Sequence, residues 1–438
     1  MTDPDSDPHA EPAEPAATGR RRRWFWPAFL GALSGSLLAF TLTDAWRRQW
    51  LSPDLWSAAL KTINVMRIAH LMYVDPEQST YDALESAAAR GILGSLDFHS
   101  TYLEPEGMER FERDGQQQYV GIGVEIEHLR GLVTVTDVFP GGPAAQGGVL
   151  PGDRIVAVDG DDATEYSVQE VVNALKGEPD APVTITVQRG HGERMTMDLV
   201  RAQVDFPRVR SVELAPSGIG YFRITQFAVE TAEEFRDAVD DLKARGMRGL
   251  IIDLRGNPGG YLNAAVAMAD DLLPTDALIV TTKGRDGEIL HERRAGEPAR
   301  LTGVPLAILI DRNSASASEL LAGAWQDHGR AIVVGERSHG KGSVQSVITL
   351  DDGSGVRLTT ARYYLPSGRT IHETGIAPDV AVALDPAERA TAWTLRTHQA
   401  LSDDDFRRLL GFNRAEDAVK RTATEILEGI LAFRDATN

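Results

Sequence analysis

Residues 306–319 read Leu-Ala-Ile-Leu-Ile-Asp-Arg-Asn-Ser-Ala-Ser-Ala-Ser-Glu. Five consecutive apolar residues describe a strand buried on both faces, and the residues after Glu319 resume with helical spacing. The polar turn between them therefore joins a strand to a helix. Outward from it the same alternation repeats. Strands are expected at 219–224, 249–254, 278–283 and 331–334, and helices at 231–244, 261–273 and 318–327. Strands alternating with helices specify a layered α/β domain.

Three glycine- or serine-rich turns in this domain carry candidate chemistry. In Asn313-Ser314-Ala315-Ser316-Ala317-Ser318-Glu319 a hydroxyl stands at a helix N-terminus, where free N–H groups favour developing negative charge. The same pattern also describes ordinary helix capping. Asp253-Leu254-Arg255-Gly256-Asn257-Pro258-Gly259-Gly260 follows another apolar strand, and its glycines allow close backbone approach; an ordinary turn is the alternative. Gly340-Lys341-Gly342-Ser343-Val344-Gln345 places a lysine between glycines. Gly335 to Lys341 has the glycine spacing of a phosphate loop, but Gly342 stands where the magnesium-binding hydroxyl belongs and a strand follows. A desolvated lysine there becomes a neutral base, while a surface lysine in a turn is the bland alternative.

Taken together, these turns resemble the carboxyl-terminal processing, or tail-specific, proteases, which use a serine–lysine pair. The resemblance rests on the Ser-Ala-Ser-Ala-Ser-Glu run, on Lys341 standing 25 residues after Ser316, and on Gln345 four further along. It also includes Leu96-Asp97-Phe98-His99-Ser100-Thr101-Tyr102-Leu103, Tyr363-Tyr364-Leu365-Pro366-Ser367-Gly368-Arg369 and Gly375-Ile376-Ala377-Pro378-Asp379, and extends over roughly residues 55–385. It implies a crotonase/ClpP-like layered core in which Ser316 is the nucleophile, Lys341 the general base and Gln345 the residue that orients the lysine. The amides of Gly259 and Ala317 would form the oxyanion hole. Ser314 and Ser318 compete with Ser316 for the nucleophile's role. His339 replaces the aromatic residue usual before Gly-Lys-Gly, which leaves a Ser-His-Asp arrangement through His339 or His328 as a further alternative.

Between about 119 and 204 the pattern changes to short alternating strands punctuated by glycine. Pro140-Gly141-Gly142-Pro143-Ala144, Leu150-Pro151-Gly152-Asp153-Arg154-Ile155 and Val158-Asp159-Gly160 resemble a PDZ domain. That resemblance implies peptide capture at a sheet edge, with Val120, Gly121, Ile122 and Gly123 holding a terminal carboxylate. The partners it implies are proteins or peptides with accessible C-termini.

The N-terminus reads as a membrane anchor. Residues 1–19 are acidic and proline-rich and are expected to be a disordered cytoplasmic tail. Arg20 to Arg23 then precede an uncharged apolar run from Trp24 to Leu42, close to the roughly 20 residues a spanning helix needs. The arginine bias predicts a single-pass inner-membrane anchor over 20–44 with the remainder on the periplasmic side; a cleaved signal peptide is the alternative. The other expected divisions are an N-terminal helical region at 45–103, the PDZ domain at 104–204, the protease core at 205–385 and a helical extension at 386–438. Leu409, Leu410 and Phe412 suit the extension to core packing or to oligomer assembly, with assembly the favoured expectation. The resemblance further implies a homo-oligomer and a possible adaptor protein.

Composition excludes several classes. A net charge of −19 argues against nucleic-acid binding. The absence of cysteine removes disulfides, thiolate metal sites and a cysteine nucleophile, and the ten histidines show no metal-ligand spacing. No cofactor is expected. The rival to an endopeptidase is a non-catalytic, membrane-tethered PDZ scaffold on a protease-like core; a hydratase or isomerase would require a coenzyme A pocket that the sequence does not display.

Overall fold

The computed structural model describes residues 52–115, 119–190, 192–204 and 206–437. The expected tail and anchor at 1–44 lie outside these residues. Among the described residues no helix is long and apolar enough to cross a membrane.

The chain divides into a short N-terminal unit, up to Ile92, and a large unit from Leu93 onward. The first contains α1 (Pro53–Met72) and most of α2 (Tyr81–Gly94). Ser52 caps α1 through its side chain, and His70 stacks on Tyr81 with ring centroids 4.3 Å apart. Ile63, Ile68, Leu71 and Met72 of α1 are all exposed.

The large unit begins with β1 (Thr101–Leu103) and α3 (Pro105–Gly115). Sequence pattern assigned 101–103 to the helical region and 105–115 to the β-rich domain. Instead β1 pairs antiparallel with a strand of the α/β core, Thr101 opposite Arg357, and Met108 of α3 packs on Gly355 of that same strand.

The β-rich domain follows: β2 (Tyr119–Gly121), β3 (Val124–Leu129), β4 (Leu132–Val138), α4 (Pro143–Gln146), β5 (Arg154–Val158), β6 (Asp161–Asp162), α5 (Val168–Leu175), β7 (Pro182–Arg189), β8 (Glu193–Val200) and β9 (Ala202–Val204). Its main sheet runs β3-β4-β5-β7-β8, so β3 is an edge strand. Val133, Val135, Ile155, Val183, Ile185 and Val187 form a separate small core beneath α5, whose capping box is closed by Ser167 and Glu170.

The α/β core comprises β10 (Val209–Leu214), β11 (Ile219–Ile224), α6 (Thr231–Ala244), β12 (Gly249–Asp253), α7 (Leu262–Leu272), β13 (Leu278–Lys283), β14 (Ile289–Arg294), β15 (Leu306–Ile310), α8 (Ala317–Asp327), β16 (Ile332–Gly335), β17 (Ser343–Thr349), β18 (Gly355–Tyr364) and β19 (Val380–Ala381). One sheet runs β10-β11-β12-β15-β16-β19, parallel except for β10. The second contains β1, β13, β14, β17 and β18. Period-two alternation sends Leu250, Ile252, Leu306 and Ile308 into the main core with α6, α7 and α8, and sends Ile251, Ala307 and Leu309 to the opposite face.

The C-terminal extension comprises α9 (Pro386–Thr397), α10 (Asp403–Leu410) and α11 (Ala418–Thr437), and α11 covers that opposite face. Val419, Ala423, Leu427 and Leu431 of α11 pack on the sheet, and Leu409 joins Phe406, Leu395, Leu401 and Leu129 of the β-rich domain. Of the residues expected to serve core packing or assembly, Leu409 and Leu410 pack within the chain, whereas Phe412 is exposed. A parallel sheet must be buried on both sides, and the extension is the layer that closes the second side.

Candidate active site

Two neighbouring parallel strands, β12 and β15, end side by side, and the turns after their carboxyl ends build the site. Their buried polar groups lock together. The Leu254 N–H donates to the Leu309 carbonyl (2.9 Å), the Ala315 N–H to the Asn257 carbonyl (3.0 Å) and the Gly256 N–H to Asp311 Oδ1 (2.9 Å).

The three serines of the turn separate by environment. Ser314 is fully buried; its hydroxyl donates to the Leu254 carbonyl (2.8 Å) and accepts from the Asp311 N–H (2.9 Å). Ser318 is also fully buried and donates to the Asn257 carbonyl (3.0 Å). Both are structural pins between the turns. Ser316 is half-exposed and adopts φ 56° and ψ −113°, a backbone conformation that non-glycine residues rarely hold without support.

Glu319 supplies that support. Its carboxylate is fully buried, and four donors converge on it. Oε2 accepts the N–H groups of Ser316 (2.8 Å) and Lys341 (2.8 Å), and Oε1 accepts the Gly340 N–H (2.6 Å) and the Ser338 hydroxyl (2.6 Å). One side chain thus ties the backbone of Ser316 to that of Lys341. The sequence marked Glu319 only as half of a capping box; its second set of partners comes from residues about 20 further along the chain.

Lys341 is half-buried, with its backbone shaped by the flanking glycines. A methyl group on Gly342 would lie 2.5 Å from the His372 nitrogen, and Gly340 has φ +95°. Burial, and then the Arg357 guanidinium, push the Lys341 ammonium below the usual lysine range, against the pull of Glu319. Among the described residues its side chain enters no hydrogen bond or ion pair. Gln345 does not bond Lys341 here: its amide nitrogen donates to Ser343 Oγ (2.9 Å) and Thr359 Oγ1 (3.3 Å). The Asp97–Ser100 motif backs this region. Asp97 accepts the His99 and Ser100 N–H groups, Ser100 Oγ accepts the Thr359 N–H, and Arg357 donates to the His99 carbonyl. Arg357 and this support were missed in the sequence, because they reach the lysine only through the pairing of β18 with β17 and β1.

Gly259 lies directly against the Ser316 turn. With φ +98°, it leaves room for no side chain: an added methyl would sit 2.8 Å from Ser316 Cβ and 2.9 Å from the Ala317 nitrogen. The Ala317 N–H has no acceptor among the described residues, whereas the Gly259 N–H donates to Asn257 Oδ1 (2.9 Å). The two histidine alternatives differ in position. His328 follows the far end of α8, about 18 Å along the helix from Ser316. His339 is exposed, and its N–H donates to the Ser314 carbonyl.

In the β-rich domain Val120, Gly121, Ile122 and Gly123 line a largely apolar cavity of ≈ 270 Å³ together with Val172 and Leu175 of α5. Among the described residues the N–H groups of Ile122 and Gly123, both buried, have no acceptor. Free amides at the mouth of an apolar pocket beside an edge strand suit an extended chain end with a carboxylate.

With this geometry in view, comparison with known proteins is direct. The model of peptidase family S41 matches residues 218–382, and a PDZ domain model matches 134–189. The carboxy-terminal-processing protease of Bartonella bacilliformis is 36% identical over 301 residues, covering 67% of this chain and 68% of that protein. The carboxy-terminal processing protease CtpA of Bacillus subtilis is 32% identical over 304 residues, covering 69% and 65%. The crystal structure of a putative S41 protease from Bacteroides fragilis superposes with a TM-score of 0.51 at 16% identity, over 77% of this chain and 88% of its own, which is a likeness of fold. The chain thus spans about two thirds of the length of these two curated relatives.

Proposed function

The chain belongs to peptidase family S41 and is a carboxy-terminal processing serine protease with a PDZ domain, and from that premise we propose that it is a cell-envelope endopeptidase that cleaves with a Ser316–Lys341 dyad after capturing protein C-termini. The observation that carries the dyad is the Glu319 clamp, which binds the strained Ser316 turn and the Lys341 loop to one buried carboxylate.

In the proposed reaction the neutral Lys341 Nζ takes the Ser316 Oγ proton as Oγ bonds to the scissile carbonyl carbon. The negative charge passes to the carbonyl oxygen, beside the Ala317 N–H. Formation of the ammonium then allows Lys341 to protonate the departing amine as the C–N bond breaks. Water, deprotonated by the Lys341 amine, attacks the acyl carbon, and as the C–Oγ bond breaks the Lys341 ammonium returns the proton to Ser316 Oγ. Bringing Gly259 into the oxyanion site requires its N–H to exchange Asn257 Oδ1 for the substrate oxygen; one such donor is worth about 3 kcal/mol. Gln345 would orient the lysine through its side-chain oxygen, the nitrogen being engaged with Ser343 and Thr359.

The PDZ-type cavity with its free Ile122 and Gly123 amides supports capture of an apolar C-terminus. The crotonase/ClpP-like reading of the core is supported by its layered arrangement around a parallel sheet. Single-pass anchoring over 20–44, with the catalytic part on the periplasmic side, is supported by the Arg20–Arg23 cluster before the apolar run. Self-association is supported by the exposed apolar residues of α1. An adaptor protein belongs to the same reading, by analogy with the family.

The test is cleavage of an unfolded protein by the full chain, by Ser316→Ala and by Lys341→Ala. Both variants are expected to lose activity by at least ~10⁴-fold in kcat. The wild-type rate should rise with pH along an ionisation centred below the usual lysine value, since only the neutral amine is a base and its pKa is lowered. Equal cleavage by Ser316→Ala removes the dyad and leaves the scaffold reading.

A further inference from the structure

The C-terminal extension touches both functional regions. Toward the catalytic turns, Arg255 is the residue immediately before Gly256, and its guanidinium is 2% exposed. It is gripped by Asp253 (2.7 Å to Oδ2) and by Asp417, which directly precedes α11 (2.9 Å to Oδ1, 2.7 Å to Oδ2). Although burial opposes charge, Arg255 holds the Asp253 carboxyl far below the usual range, so the trio is a charged, closed network. Asp253 also accepts from the Tyr221 hydroxyl (2.9 Å).

A second bond from the extension enters beside it. Arg396 of α9, almost wholly buried, reaches Asp311 Oδ2 (3.2 Å). The other oxygen of Asp311 accepts the N–H groups of Gly256 and Asn313, one from each catalytic turn (2.9 Å each). The Trp393 ring lies so close to Gly256 that an added methyl would sit 2.8 Å from it.

Toward the PDZ domain the same segment makes a different set of contacts. Leu129 of β3 is buried with Leu395, Leu401, Phe406 and Leu409. Arg130 Nε donates to the Leu409 carbonyl (2.9 Å), Arg408 to the Gly152 carbonyl (3.3 Å), and His398 Nε2 lies 3.0 Å from Glu127 Oε2. Glu127 and Leu129 belong to the edge strand on which a captured peptide would pair.

We propose that residues 386–417 form a brace that sets the geometry of the Gly256–Gly260 loop and links it to the PDZ domain, with Arg396 and Asp417 as positioning residues for hydrolysis. The inference rests on the serine-protease reading above. Neither side chain touches substrate. Each fixes a turn whose backbone must present the oxyanion site, and a loop displaced by 1 Å forfeits about 100-fold in rate.

The test uses the full chain in detergent and a short peptide without a PDZ-binding tail. Asp417→Asn leaves Arg255 with one carboxylate and is expected to lower kcat about tenfold with KM within twofold, and Asp417→Glu to restore most of the loss. Rates are referred to the folded fraction measured by thermal unfolding; should Asp417→Asn not fold, Arg396→Lys serves in its place with the same expectation. Hydrogen exchange at the amides of Gly256, Asn257, Gly259 and Gly260 supplies the second readout. It should accelerate in Asp417→Asn and also in Arg130→Ala, which cuts only the PDZ side. An unchanged kcat per folded molecule overturns the positioning role. Unaltered exchange at 256–260 in Arg130→Ala overturns the link. A wild type without Ser316-dependent cleavage fails the serine-protease reading itself, and the positioning role with it.

Discussion

Two glycine-containing loops of this protein are built to opposite specifications. In the Gly256–Gly260 loop, Gly259 and Gly260 have φ of +98° and +142°, and an added methyl would sit 2.7 Å from the Ala315 carbonyl oxygen or 2.1 Å from that of Phe227. In the Val120–Gly123 loop, a methyl on Gly121 would meet nothing nearer than 3.8 Å, and one on Gly123, at φ +81°, would meet Val204 at 3.3 Å and Gly142 Cα at 3.5 Å. The first loop is welded into buried polar neighbours, while the second borders an open apolar cavity and keeps free amides. The contrast fits the roles proposed for the two loops. A transition-state site must hold its donors to fractions of an ångström, whereas a site that accepts many chain ends needs only a shaped edge.

Gly259→Ala should break this contrast most severely. The new methyl overlaps the Ser316 turn and must also hold a positive φ, so kcat is expected to fall ~10²–10³-fold, the range for loss of an oxyanion donor. Steady-state kinetics on a short peptide measures it, and a loss below tenfold would show that the loop yields. Glu319→Gln comes next. The amide replaces one oxygen with an NH2 group facing backbone or hydroxyl donors, so two of the four bonds are lost inside a fully buried site. Stability should drop by about 2–3 kcal/mol, read as a lowered denaturation midpoint at constant m-value. A variant of wild-type stability would mean that the clamp is replaceable by water.

How much of this was readable in advance depends on the range of the interactions. The strands and helices flanking the candidate catalytic turns follow from local periodicity, and Ile219–Ile224, Thr231–Ala244 and Leu278–Lys283 occur as expected. The serine and lysine turns were legible because their spacing matches a known family. What the sequence could not supply is pairing over distance. Strand β14 has no buried residue and so no alternation to read, yet it pairs with β13. Asp417, Arg396 and Arg357 look like ordinary surface charges until the fold brings each to a buried partner or a reactive group. The extension stayed ambiguous for the same reason: Leu409, Leu410 and Phe412 declare an apolar face, and only the topology shows that Leu409 and Leu410 pack against Leu129 of the β-rich domain while Phe412 stays exposed.

Gly121→Ala probes the other side of the contrast, and its expected effect is small. Gly121 sits in β2, paired with Ala202, at a φ any residue adopts, and its added methyl reaches only ordinary contact with the Leu175 carbonyl oxygen. Stability should change by less than ~0.5 kcal/mol. Because the Ile122 and Gly123 amides are untouched, the Kd for a peptide with an apolar C-terminus should move by no more than about twofold, a factor equivalent to ~0.4 kcal/mol. Fluorescence anisotropy with a labelled peptide measures this on the full chain. A tenfold loss would mean that the carboxylate loop tolerates as little as the catalytic one, and the division between a rigid reacting site and an accommodating capture site would not hold.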